Sequence, residues 1–213
     1  MKDSIDGFAR KRILYYGELH TIPMSEIPKP LLSVEQYLDF ELTSERRHEY
    51  VDGNLIQMLG KSKVANWILN SLIVTTNFEL QNWNYDLFVV GVKVKTSPTR
   101  YRYPDIIIAP ESDNEHTHVV YEPILLGEIV SPGTASTDYG AKLTEYAGIA
   151  SLRYYIIIEQ DRPYVLIHIL QEDRSVVTTW VEGEDGILEI PDLNLAIPLA
   201  QLYRNVKFPD QQE

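Results

Sequence analysis

The segment 124–130, which reads ILLGEIV, constrains the fold of this 213-residue chain more than any other. It is apolar at nearly every position, as is typical of a central strand that is buried on both faces. Glu128 interrupts this apolar run. Because an unpaired carboxylate in such surroundings is costly, Glu128 requires a counter-charge or a metal ion.

A second acid lies at the start of another apolar run. Asp105 belongs to the segment 103–109, YPDIIIA, which is predicted to be a short strand. If the two strands are neighbours, Asp105 and Glu128 can converge on one divalent ion. Carboxylate oxygens of this kind suit Mg²⁺ or Mn²⁺. The plainer interpretation, in which each acid belongs to a structural ion pair or a strand edge, stays open.

The other segments predict a mixed fold. A capping box at Ser33 predicts a short helix, and Asp52-Gly53 predicts a hairpin turn. Further elements are predicted as a long helix over 62–83, one strand over 86–95, a helix over 138–149 capped by Asp138, strands over 153–159, 164–170 and 175–181, and a closing strand and helical turn after 191.

This order of elements predicts an α/β or α+β fold around a mixed central β-sheet flanked by helices. The domain boundaries follow from it. We expect an irregular N-terminal lead-in over residues 1–32, one domain over 33–205 and a C-terminal tail over 206–213.

Composition excludes several kinds of site and of protein. The chain has no cysteine, which excludes disulfides, thiolate-bound zinc and thiol nucleophiles. It has 19 Lys and Arg against 31 Asp and Glu, a net charge of −12, which argues against a protein that coats nucleic acid through its overall charge. Since no signal-peptide core and no run of the ~20 apolar residues of a membrane span occurs, we expect a cytoplasmic protein without a membrane partner.

Three strings carry a family resemblance: HEYVDGNLIQM, RYPDIIIAP, and the run that begins ILLGEIVSPGT and ends RPYVLIHIL. They resemble the Uma-two family of restriction-endonuclease-like proteins, whose core belongs to the PD-(D/E)XK nuclease fold. The resemblance covers residues 33–205. It implies four catalytic positions, Glu49, Asp105, Glu128 and Lys142, of which the three acids would also bind the metal. Glu49 is equally explained by a surface salt bridge with the preceding Arg46-Arg47.

The chain departs from the family pattern at two places. A nuclease of this fold usually carries its lysine two residues after the second acid, a position that is Val130 here. Lys142, 14 residues after the second acid, is the nearest replacement, and a solvated helix residue is the alternative explanation for it. The family often has a histidine near Ala65 or Asn66, and this chain has none.

A basic cluster precedes Asp105 in the chain. It consists of Lys93, Lys95, Arg100 and Arg102, interleaved with tyrosines. These side chains are candidates for binding the phosphate backbone of a substrate. A basic edge strand that discourages aggregation explains the same residues.

Together these features predict an endonuclease that hydrolyses DNA phosphodiester bonds with Mg²⁺ or Mn²⁺. A homodimer that cuts both strands is compatible with this prediction. Glu49 would help to hold the ion, and Lys142 would stabilise the attacked phosphate. The alternative is a catalytically degenerate member of the same fold that acts as an interaction or dimerisation protein. The displaced lysine, the missing histidine and the acidic composition favour that alternative.

Overall fold

The structure is a computed structural model that describes residues 31–80, 84–112, 118–130 and 135–208. The predicted lead-in over 1–32 therefore lies almost entirely outside the described residues, as does most of the predicted tail over 206–213. Within the described part, Val206 packs into the hydrophobic core. No helix among the described residues combines the length and the apolar character needed to cross a membrane.

The described helices and strands follow one another along the chain with short connections. The helices are α1 (Val34–Thr43), α2 (Lys63–Leu80), α3 (Lys142–Tyr146) and α4 (Leu199–Leu202). The strands are β1 (His48–Val51), β2 (Asn54–Gln57), β3 (Tyr85–Val89), β4 (Lys93–Ser97), β5 (Arg100–Arg102), β6 (Ile106–Pro110), β7 (Val119–Val120), β8 (Leu125–Ile129), β9 (Tyr154–Ile158), β10 (Tyr164–Leu170), β11 (Val176–Glu182), β12 (Ile187–Ile190) and β13 (Leu195–Pro198).

The structure contains both the capping box and the hairpin turn that the sequence predicts near the N-terminal end of the domain. The Ser33 hydroxyl accepts from the Gln36 N–H at 3.2 Å, and the Gln36 side chain accepts from the Ser33 N–H at 2.9 Å, which completes the capping box of α1. Asp52 and Gly53 both have positive φ, as a tight hairpin turn requires, and they join β1 to β2. The predicted helix over 62–83 is observed as α2, and residues 81–83 lie outside the described part.

The six-stranded sheet is the centre of the fold, with the order β11-β10-β9-β8-β6-β3. It is mixed, as predicted, because β8 and β9 are parallel while the other neighbours are antiparallel. All five residues of β8 are buried. Side chains alternate across the sheet: Ile106 and Ile108 pack in the same core as α2, whereas Ile107 packs in the same core as Tyr146 of α3. Helices therefore cover both faces, and the predicted α+β class is confirmed.

A second sheet, which the sequence does not predict, has the order β2-β1-β5-β4-β7. Helix α1 packs against it through Tyr37, whose ring lies 4.8 Å from that of Tyr50 and 5.7 Å from that of Tyr101. A third pair of strands, β12 and β13, is also antiparallel. Strand β12 is not predicted either, since the closing segment is expected to begin at Pro191.

The prediction of one strand over 86–95 is wrong. The segment forms two strands, β3 and β4, which belong to different sheets. Val90 and Gly91 separate them, with φ values of 47° and 103°. Both values are positive and lie outside the β region, so the extended backbone is interrupted here. The chain therefore turns at Gly91, and the alternating apolar pattern continues across the turn without marking it.

The prediction that Asp138 caps the following helix is also wrong. The helix over this region begins as a π-helical turn, Thr137–Ala141, which continues directly into α3. Its N-cap residue is Ser136. Asp138 lies inside the π-helical turn and is only 2% exposed, so its carboxylate faces the protein interior.

Candidate functional site

Strands β6 and β8 bring Asp105 and Glu128 side by side. The antiparallel register pairs Ile106 with Gly127, so its continuation places Asp105 opposite Glu128. Side chains alternate across the sheet, and both acids share the face that α3 covers. Asp105 Oδ2 accepts the backbone N–H of Ile129 at 2.7 Å. The two acids are 2% and 3% exposed. The structure therefore brings together the two carboxylates that the sequence singles out.

Lys142 lies against the same carboxylates, although it comes from a helix. Its Nζ is 2.8 Å from Glu128 Oε1 and 2.9 Å from Asp138 Oδ1. Glu49 Oε1 lies 3.7 Å from the same ammonium. The Tyr146 hydroxyl donates to Glu128 Oε1 at 3.1 Å. Asp138, Lys142 and Tyr146 follow at intervals of four, which places them near one another on the helical surface.

Lys61 is a member of the site that sequence reasoning missed. It lies in the loop before α2, and its Nζ is 2.7 Å from Asp105 Oδ2. Its side chain is 26% exposed, so Lys61 reaches from the surface to a buried acid. No spacing rule links two residues that are 44 positions apart. Asp138 was predicted to be a helix cap and not a member of the site, although its spacing of four from Lys142 was a usable signal.

Glu49 is held in place by Arg102. Arg102 Nη1 lies 2.7 Å from Glu49 Oε2, and Arg102 Nη2 lies 2.7 Å from Glu145 Oε2. Thr96 donates a further short hydrogen bond to Glu145. The other oxygen of Glu49 faces Lys142. Glu49 therefore lies between the Arg102 guanidinium and the Lys142 ammonium. The prediction that Glu49 also contributes to metal binding stays a prediction.

The predicted basic cluster divides into buried and accessible members. Lys93 and Arg102 are each 4% exposed, while Lys95 and Arg100 are half-buried. Arg100 is bound to Asp52 on one side and lies 3.4 Å from Glu145 on the other. Strands β4 and β5 both have neighbours on two sides, so the alternative explanation as a basic edge strand is wrong. A substrate phosphate has direct access only to the two half-buried members.

Burial and the opposite charge of the partner shift the pKa values of Glu128 and Lys142 in opposite directions. Burial is the largest influence on Glu128 and raises its pKa to about 8, against the charge of Lys142, with Asp105 and Asp138 adding to the rise. Burial alone would lower the pKa of Lys142, but Glu128, Glu49 and Asp138 together raise it well above its usual value. Lys142 is therefore a permanent cation, and Glu128 holds a proton more readily than an exposed glutamate does.

The carboxylates around Lys61 and Lys142 supply several oxygen atoms that could bind a cation. Among the described residues, no three Asp, Glu, His or Cys side chains are placed so that they could together hold a metal ion. Asp138 Oδ1 is buried and makes no hydrogen bond in regular geometry, although the Lys142 ammonium is close to it. The site thus offers two strand carboxylates, an ammonium beside each of them, and a third buried carboxylate nearby. Such a set can bind a hard cation or stabilise charge on a phosphoryl group.

Known proteins share both the sequence pattern and the architecture. The sequence profile of Uma2, described as "Putative restriction endonuclease", matches residues 34–200. The crystal structure of a protein from Anabaena variabilis, described as "a putative nuclease belonging to DUF820", superposes with a TM-score of 0.68 at 16% identity and covers 81% of this chain and 98% of that one. The expected restriction-endonuclease-like fold is thereby confirmed.

Two relatives from Synechocystis cover similar lengths. The uncharacterized protein slr1290 is 27% identical over 185 residues, which are 85% of this chain and 96% of that protein. The uncharacterized protein sll1609 is 26% identical over 164 residues, which are 75% of this chain and 92% of that protein. Both alignments span nearly the whole relative, so the similarity extends over the entire domain and not over a single motif.

Proposed function

Since the chain belongs to the Uma2 family, we propose that it is a nuclease that hydrolyses DNA phosphodiester bonds with Mg²⁺ or Mn²⁺. One observation carries this proposal: Asp105, directly before β6, lies opposite Glu128 of β8, and a lysine ammonium lies within 2.8 Å of each. This combination of paired acids and cations is suited to the chemistry of a phosphate diester. The description of the Anabaena protein as "a putative nuclease" agrees with this class of reaction.

The residues present fit a magnesium ion. Mg²⁺ commonly takes one or two protein carboxylates and completes its coordination with water and substrate phosphate, so Asp105 and Glu128 are a sufficient pair. Lys142 is shared among Glu128, Asp138 and Glu49, and Glu49 also pairs with Arg102. When bound, such an ion lowers the pKa of a water molecule and neutralises charge on phosphate oxygens.

The side chains around the two acids have separate tasks in this proposal. Lys142 stays protonated and can donate hydrogen bonds to a phosphate oxygen as negative charge develops on it. Glu49 and Asp138 hold that ammonium in position from two sides. Lys61 orients Asp105 and is the more exposed of the two lysines. Glu49 completes the set of acids from which the metal shell would be drawn.

The experiment is a cleavage assay with purified protein, plasmid DNA, and Mg²⁺ or Mn²⁺. We expect Asp105→Ala to reduce cleavage to background, because it removes one of the two strand carboxylates. Asp161→Ala, which alters an exposed turn residue, is the matched control and should cut like the wild type. Equal activity of Asp105→Ala and the control would overturn the assignment.

A second candidate is a catalytically degenerate protein of the same fold, and two observations favour it. Lys61 and Lys142 already form ion pairs with Asp105 and Glu128, and no three-ligand metal cluster occurs among the described residues. In that case the ionic network serves only to hold β6, β8 and α3 together. Calorimetric titration with Mn²⁺ separates the candidates: we expect heat of binding in the wild type and none in Asp105→Ala, whereas no heat in either favours the degenerate protein.

Pairing of two copies is part of the same proposal, since nucleases that cut both strands of a duplex often pair two identical sites by two-fold symmetry. Strand β11 supports it: it lies at one end of the six-stranded sheet, and six of its seven residues are exposed. Such an edge is a template for antiparallel pairing with a second copy. We expect sedimentation to give the mass of a dimer and Thr179→Lys to give the mass of a monomer. A monomeric wild type would remove this part of the proposal.

A further inference from the structure

An open cavity of about 240 Å³ lies next to Asp105, and we call it the basic cleft. Its walls are the segment 58–61, which follows β2, and the turn at Val90 and Gly91, which ends β3. Arg46, Arg47, Tyr103, Pro104 and Asp105 also line it. Because Lys61 belongs to this lining and bonds to Asp105, the basic cleft leads from solvent directly to the buried carboxylates.

Two arginines give the basic cleft its charge. Arg46 and Arg47 are exposed, and across the described residues neither forms an ion pair with a carboxylate. Arg46 Nη1 donates to the Gln57 side chain at 3.3 Å. The Met58 N–H donates to the Arg47 carbonyl at 2.9 Å. Arg46 is therefore attached to Gln57 at the end of β2, and the backbone of Arg47 to Met58, while both guanidinium charges are free to meet an anion.

The same cleft exposes apolar side chains on its two walls. Leu59 is 83% exposed on one wall, and Val90 is 54% exposed on the other. Val90 has a φ of 47°, a strained value for a β-branched residue, and its N–H donates to the Asp105 carbonyl at 3.2 Å. Strain of this kind persists where the surrounding structure holds it, and it is frequent at ligand sites.

Cations next to exposed apolar side chains match the two chemistries of a nucleotide, which are an anionic phosphate and the apolar faces of its sugar and base. A chain with a net charge of −12 repels a polyanion except where local positive charge attracts it. We propose that the basic cleft binds the DNA strand beside the cleaved phosphodiester, with Arg46 and Arg47 on its phosphates and Leu59 and Val90 against one nucleotide. This inference rests on the proposed function for the identity of the ligand.

The test measures binding and cleavage separately. Fluorescence anisotropy with a labelled single-stranded DNA oligonucleotide, in Ca²⁺ so that the strand stays intact, gives Kd over a series of salt concentrations. We expect the double variant Arg46→Gln/Arg47→Gln to raise Kd about tenfold. The salt slope, which is the slope of log Kd against log salt concentration, should fall by about 0.7 for each phosphate that the variant no longer binds. Arg204→Gln, an exposed arginine outside the basic cleft, is the matched control and should behave like the wild type.

The apolar wall has its own variant. Leu59→Ala should weaken binding and leave the salt slope unchanged, because it removes apolar surface and no cation. Leu42→Ala, which alters an exposed leucine outside the basic cleft, is its control. Plasmid cleavage by the same variants shows whether binding in the basic cleft supplies the substrate to the reaction.

The outcomes separate this inference from the proposed function. If the wild type cuts plasmid and the double variant equals Arg204→Gln in both Kd and salt slope, the basic cleft is not the strand site and the nuclease proposal stands. If the double variant loses binding but the wild type never cuts, the basic cleft still binds the strand, and the nuclease proposal falls together with the position of the strand beside a cleaved bond. If the wild type does not bind the oligonucleotide, the strand site is refuted.

Discussion

At the scale of single residues, the buried ammonium of Lys142 lies between the carboxylates of Glu128, Asp138 and Glu49. Removing it leaves these acids without their shared counter-charge. We expect Lys142→Met to lower the free energy of unfolding by about 3–5 kcal/mol, as the loss of one partner from a buried ion pair does. Urea denaturation measures it, with the exposed Lys207→Met as control. Equal midpoints for the two variants would contradict the view that Lys142 neutralises the site.

The raised pKa of Glu128 predicts a stability that depends on pH. Between its ordinary value of 4.5 and its folded value of about 8, the folded protein binds a proton that the unfolded chain has released. The contribution of Glu128 is therefore fully present at low pH and is lost as pH rises through about 8. In metal-free buffer, we expect the free energy of unfolding of the wild type to fall by at least about 1 kcal/mol from pH 5 to pH 8, relative to Glu128→Gln. Parallel pH curves for the two proteins would refute this.

The sequence was informative about some of these residues and silent about others. Glu128 could be identified because an acid inside an apolar strand needs a partner, and Lys142 because it is the nearest lysine downstream. Lys61 could not be identified, since its contact with Asp105 joins distant segments. The burial of Arg102 was equally out of reach, because a basic residue in a short strand looks the same whether it faces solvent or Glu49.

At the scale of elements, Gly127 decides how closely β8 packs against its neighbours. A Cβ at this position would lie 3.0 Å from side-chain atoms of both Ile106 and Ile156. We expect Gly127→Ala to destabilise the protein by about 1–3 kcal/mol through overpacking. Gly140→Ala is the matched control, because a Cβ there meets nothing within 4 Å. Thermal unfolding of both variants tests it, and a Gly127→Ala protein as stable as the control would show that β8 can shift.

Element predictions succeeded where a local signal exists and failed where it does not. The strand over 164–170 has the predicted bounds, because its alternation is bordered by turn residues on both sides. The pattern over 86–95 alternates in the same way through β3 and β4, and periodicity does not reveal that the two halves pair in different sheets. Gly91 was the available signal for that turn, since isolated glycines in strand patterns often mark a break.

At the scale of the whole molecule, a ligand held by two strands of the central sheet should stabilise the entire fold. At a Mn²⁺ concentration about 100 times its Kd, linkage gives about 2.7 kcal/mol. For a chain of this size we expect a rise in Tm of about 5–10 °C. Differential scanning calorimetry with and without Mn²⁺ measures it, and Asp105→Ala should show no rise. An equal rise in that variant would place the ion elsewhere.

The order of the strands in the two larger sheets could be predicted only in part from the sequence. A mixed sheet between helices could be predicted from the succession of elements. The second sheet could not, because the pairing of β1 with β5 places Tyr50 opposite Tyr101, a residue far along the chain. Neither strand carries a local mark of its partner, and the contacts that hold them together, the packed rings of Tyr37, Tyr50 and Tyr101 and the Arg102–Glu49 ion pair, join distant segments.

The position of Lys142 on a helix has a consequence for when the site comes into existence. A lysine on the same strand as Glu128 would accompany that acid as soon as the strand formed. Here the acid and the amine meet only after the stretch 137–146 has docked on the sheet. A nascent or partly unfolded chain would therefore carry both acids without the Lys142 ammonium, and under the proposed function it should not hydrolyse phosphodiester bonds until this stretch has docked.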